Sequence, residues 1–149
     1  MGCVCSRRVG DGGGEIEVAE MIFLASDAGA LEDQNKFDEA FGKGSAKVAL
    51  TLKNMAGVLR KQGKRDEALA LYKRALTIDE KACGKIHPEV GDTCFNMACL
   101  AEDQEDFATA LSFYSRSAEC SKSAHGEDHP ETIDALGQVA EMKKKLLVA

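Results

Sequence analysis

The chain has 149 residues, enough for one compact domain, with 44% hydrophobic residues, two prolines, 5% aromatics and no tryptophan. Few aromatics beside many Ala, Leu, Glu and Lys argue against a sheet sandwich and for an all-α chain of helices packed through small side chains. A net charge of −6 argues against a general nucleic-acid binder, and no stretch reaches the roughly 18 apolar residues that a spanning helix needs.

The first eight residues read Met-Gly-Cys-Val-Cys-Ser-Arg-Arg. Once Met1 is removed, Gly2 offers the terminal amine for a myristoyl group, and Ser6 stands where that modification favours a hydroxyl. One such chain binds a bilayer only marginally, so stable anchoring needs a second signal. Palmitoylation of Cys3 and Cys5 would provide it, and Arg7 and Arg8 would add about 1 kcal/mol each against anionic lipid. The expected address is the cytoplasmic face of a membrane. This opening is similar to the acylated termini of small flagellar membrane proteins of protozoa, over these few residues only, which implies a flagellar or ciliary membrane. Gly10 to Gly14, broken by Asp11, completes residues 1–14 as a flexible spacer.

Residues 15–44 read as a worn unit that caps the helical array on its N-terminal side. Ile16, Ala19, Ile22, Phe23, Ser26 and Ala30 keep helical spacing, and the 30–40 stretch aligns with 100–110. Ala40 precedes Ala68 by 28 positions, where the spacing further on is 42. The missing length is about four helical turns, which predicts a full first helix and a second cut to a turn or so.

Residues 45–86 and 87–128 are two copies of one 42-residue unit, with identities at 12 positions that include Thr51/Thr93, Asn54/Asn96, Ala68/Ala110, Tyr72/Tyr114, Arg74/Arg116 and Gly84/Gly126. Unrelated sequence would give about three. His87-Pro88-Glu89 recurs as His129-Pro130-Glu131, so the unit opens once more and ends as a solvating helix over 129–149. The spacing predicts first helices over 46–62 and 88–104, second helices over 66–83 and 107–124, and a last helix over 130–147. Pro88 and Pro130 fall in first turns, and Gly84 and Gly126 fall where left-handed caps are wanted. Leu52, Met55, Ala56 and Leu59 form one apolar stripe, and Ala68, Leu69, Tyr72, Ala75 and Leu76 the facing one. A single hairpin cannot bury both faces, so the pairs must stack.

The unit, with Lys53-Asn54-Met55-Ala56, Gln62-Gly63-Lys64, Glu67-Ala68-Leu69, Tyr72-Lys73-Arg74-Ala75-Leu76 and Gly84-Lys85-Ile86-His87-Pro88, resembles the 42-residue tetratricopeptide repeat of kinesin light chains and nephrocystin-3. The resemblance implies a right-handed superhelix of stacked antiparallel helix pairs, without enzyme activity or cofactor, whose first helices line a groove for a partner peptide. Asn54 and Asn96 match the asparagine that faces cargo peptide in that family, and Gln138 holds the next equivalent place. An amide both donates and accepts, which suits an extended peptide backbone. The alternative is that these amides only bond neighbouring helices. Helical spacing adds Lys47, Thr51, Val58 and Lys61 to the same face in one unit and Glu89, Thr93, Leu100 and Asp103 in the next. The carboxylate clamp of chaperone-binding relatives needs Asn and basic residues where this chain has Gly57, Cys99 and Glu141, so a chaperone tail is not the expected ligand.

Charge differs by unit: +6 over 45–86, −7 over 87–128 and −6 over 15–44. Such a bipolar surface suits a ligand with an acidic and a basic part. Self-association through the terminal helix is a second expected partnership. Cys120, His125 and His129 lack a nearby fourth ligand, Gly42-Lys43-Gly44-Ser45 lacks the first glycine and the hydroxyl of a phosphate loop, and no metal or catalytic site is expected. The expected whole is a membrane-tethered adaptor, with a self-assembling structural module or a soluble cargo adaptor as the alternatives.

Overall fold

The structure, a computed structural model, describes residues 46–148. Among them are five α-helices and no strand: α1 (Ala46–Lys61), α2 (Arg65–Cys83), α3 (Pro88–Asp103), α4 (Phe107–His125) and α5 (Pro130–Val148). The all-α expectation holds, and each helix ends within one residue of its expected position. The acylation segment, the glycine spacer and the shortened 15–44 unit lie outside the described residues.

The helix ends repeat with the sequence. Gly84 and Gly126 take φ values of +87° and +90°, and their N–H groups donate to Glu80 O and Lys122 O, one repeat apart. The left-handed backbone closes α2 and α4 as expected. The first-to-second helix turns also match. Gly63 sits at φ +79° between α1 and α2, and Glu105, 42 residues later, sits at φ +58° between α3 and α4. Lys64 N donates to Leu59 O and Asp106 N to Ala101 O, so the same turn is built from glycine in one unit and glutamate in the next.

The His-Pro-Glu triplet explains how α3 and α5 begin. His87 Nδ1 accepts from Glu89 N at 3.2 Å, and His129 Nδ1 accepts from Glu131 N at 3.3 Å. The proline that follows each imidazole has no N–H to satisfy, so the side chain answers the next one. His87 is therefore an N-cap, with φ −150° and ψ 149°. At α4 the corresponding cap is Asp106, whose carboxylate accepts from Thr109 N at 3.2 Å.

Two compact units divide the described chain, one ending at Ile78 and the other starting at Asp79 inside α2. In the first, Val48, Ala49, Leu52, Ala56 and Leu59 of α1 are buried, as are Ala68, Leu71, Tyr72, Ala75 and Ile78 of α2. Leu71 and Ile78 lie outside the expected stripe, while Leu69 and Leu76 within it are only half-buried. The buried arc of α2 follows the 68, 71, 75, 78 spacing, a slightly rotated reading of the same helical period.

The second unit packs α3, α4 and α5 around Phe95, Ala98, Ala110, Tyr114, Ala135 and Met142. Phe95 and Tyr114 meet edge to face at 5.1 Å. Gly91 permits the close approach of α3 to α4, because a Cβ there would stand 2.9 Å from the Cys120 Cβ. The buried Tyr114 hydroxyl donates to Glu102 Oε2 at 2.9 Å, and Lys145 Nζ donates to Glu102 Oε1 at 2.7 Å while lying 5.2 Å from the Phe107 ring centroid. One carboxylate thus links α3 to both α4 and α5.

Candidate peptide-binding face

Helix α3 presents Glu89, Asn96 and Asp103 at steps of seven residues, close to two helical turns, so the three lie along one stripe. Glu89 and Asp103 are exposed, and Asn96 is half-buried among ten buried neighbours on the same helix. On α5 Gln138 is half-buried, and on α1 Thr51 and Asn54 are half-buried while Lys61 is exposed. Lys47 belongs to α1, with its side chain outside the described set.

The amides of Asn54, Asn96 and Gln138 share one property. Each is half-buried, and each makes no side-chain hydrogen bond among the described residues. A half-buried amide is open to water, and a ligand that supplies matching groups can take that water's place.

Thr93 has another role from the one expected. It is fully buried, and its hydroxyl donates to Asp79 Oδ2 at 2.8 Å and lies 3.1 Å from Glu89 O. A hydroxyl consumed by a buried carboxylate is not available to a peptide, so Thr93 holds the end of α2 to α3. Leu100 is also buried, which removes it from the binding face, and Val58 is half-buried.

The repeated arginine marks a second feature that sequence reasoning passed over. Arg116 pairs with Glu80 and also reaches Lys85 O at 3.4 Å, and the Glu80 partnership holds its guanidinium above the ordinary range. With Lys85, Ile86 and Glu119 these residues line an open recess of about 390 Å³. The Arg74/Arg116 identity was its available signal. Because Glu80 neutralises Arg116, the recess offers no strong anion site.

Nucleophile chemistry is disfavoured at the buried thiols. Burial pushes the Cys94 thiol up to about 12, and burial likewise raises Cys120, which lies 3.8 Å from Lys85 O. Both stay protonated at neutral pH. His125 and His129 stack with centroids 4.4 Å apart, and His129 Nδ1 is occupied by its helix cap. No group of three or more His, Cys, Asp or Glu side chains is placed to hold a metal among the described residues, and no described helix is long and apolar enough to cross a membrane.

A family model described as the tetratricopeptide repeat matches residues 47–122, just over half of the chain. Among curated proteins nothing matches it.

Proposed function

We propose that this chain, which belongs to the tetratricopeptide repeat family, is an adaptor that binds a partner peptide through the first helices of its repeats while acyl groups at its N-terminus hold it to a membrane. Proteins of this repeat generally mediate protein–protein interaction, and the repeat is not an enzyme fold. The observation that carries the peptide reading is the set of unspent, half-buried amides of Asn54, Asn96 and Gln138. Lys47 and Lys61 are the basic side chains proposed for the first repeat, with Thr51 a neutral hydroxyl on the same helix, and Glu89 is the acidic one proposed for the second. The 42-residue spacing supports the kinesin light chain type of repeat.

The membrane half of the reading rests on Gly2, Cys3, Cys5, Arg7 and Arg8. Its address is the cytoplasmic face of a flagellar or ciliary membrane. Tethering raises the effective concentration of the binding face for partners at that membrane without any new contact. Intact mass of the protein from its native cell, with and without hydroxylamine, tests the anchor. The expected result is a myristoyl increment that resists the reagent and a palmitoyl increment that it removes; Gly2→Ala then moves the protein to the soluble fraction. An unmodified terminus would leave a soluble adaptor.

A further inference from the structure

Helix α5 opens a repeat unit but has no second helix of its own among the described residues. The register of 42 says which face that leaves uncovered. Ile133, Leu136 and Ala140 stand one repeat after Gly91, Cys94 and Ala98. In α3 those three positions are buried, and Gly91 packs directly on Cys120 of α4. In α5 Ile133 is 58% and Leu136 47% exposed, Ala140 is exposed, and Leu147 continues the stripe at 87%. The uncovered face is therefore one that this fold closes with a helix.

We propose that the outward face of α5 pairs antiparallel with the same face of a second copy of this chain. The charges of α5 favour that occupant. All three of its carboxylates, Glu131, Asp134 and Glu141, precede Met142, and its lysines follow it, with Lys143 and Lys144 exposed and Lys145 turned inward to Glu102 of α3. Two such helices laid antiparallel set the acidic half of each along the basic half of the other, whereas parallel pairing sets like against like. Shape agrees with charge when the pair is centred on Ala140. Ile133 then faces Leu147 of the second copy, and Leu136 meets the aliphatic stem of Lys144. Lys143 crosses Gly137, where a Cβ would have nothing within 4 Å. Small Ala140 meets itself at the crossing and lets the axes approach. A two-fold pairing of this kind is isologous and closes at the dimer. A helix of 19 residues is about 28 Å long, so the contact falls below the standard interface size and gives a weak dimer.

Pairing through α5 requires neither a bound peptide nor an acyl chain, so it can be measured apart from both. Full chain carrying Gly2→Ala, under reducing conditions and free of acyl-driven association, is followed by sedimentation equilibrium from about 5 to 500 μM at low salt. The expected result is a monomer–dimer equilibrium. Ala140→Glu, at an exposed position, shifts it at least tenfold toward monomer with unchanged thermal unfolding. Lys143→Gln/Lys144→Gln weakens the dimer severalfold, as the antiparallel arrangement requires. A monomer throughout that range overturns the proposal, as does a dimer that Ala140→Glu leaves intact. Growth beyond the dimer would show head-to-tail contact instead, and tightening by the lysine substitutions would show parallel pairing; either result rejects it.

Discussion

Glu105 adopts the backbone conformation that Gly63 adopts one repeat earlier, at φ +58° against +79°. A side chain in this region crowds the following carbonyl, at a cost of roughly 1 kcal/mol. Glu105→Gly should stabilise the protein by about 0.5–1 kcal/mol and Gly63→Ala should destabilise it by about 1, as read from urea midpoints at constant slope. Burial gives the Cys94 thiol a distinct behaviour. Its folded value is raised to about 12, above the ordinary thiol range near 8.5, so the unfolded chain ionises first. The stability contributed by the neutral thiol is whole below that ordinary range and is lost as pH rises toward 12. Alkylation at pH 8 read by mass spectrometry should modify exposed Cys83 quickly and Cys94 only after denaturant is added.

At the scale of elements, the helices were legible because punctuation and period agree. Pro88, Pro130, Gly84 and Gly126 mark ends where the 3.6-residue pattern also stops, and a 42-residue register states each end twice. The ties between helices were not legible. The buried Thr93–Asp79 bond does not recur as a pair, since Thr93 repeats Thr51 but the residues 42 positions further on are Ala135 and Ser121. Thr93 consequently read as a face residue when it is an internal one. The His87 and His129 caps were visible as a recurring triplet, but the capping role of their imidazoles was not, because histidine is not among the favoured capping side chains. Glu102 is a third such tie, bonding Tyr114 and Lys145 from a part-buried position. Lys145→Ala should cost about 1 kcal/mol, whereas Glu102→Ala should cost about 2 because it removes a partner from both Lys145 and the buried Tyr114 hydroxyl, which is left with its 3.3 Å contact to Cys99 Sγ. Urea unfolding of both variants and their double mutant should give a sum that is not additive, since the two share one carboxylate.

For the whole molecule, the candidate peptide-binding face was legible in part. Asn54, Asn96 and Gln138 could be named from register, but their unspent hydrogen bonds could be read only from the structure. The identity of the ligand comes from neither, because a repeat supplies a binding surface and its exposed side chains select the partner. In the proposed function the amides carry the central role, meeting a partner peptide that the proposed N-terminal anchor would concentrate at the membrane. The most direct test is quantitative co-purification of the full, acylated chain from its native cell, comparing wild type with Asn54→Ala/Asn96→Ala at matched expression. At least one membrane-associated protein should fall about tenfold or more in the variant, equivalent to about 1.4 kcal/mol of binding, while circular dichroism and membrane fractionation of the variant stay unchanged. A partner set identical in the two preparations would contradict this role, because half-buried amides that can be removed without affecting either stability or binding would have no part in the function.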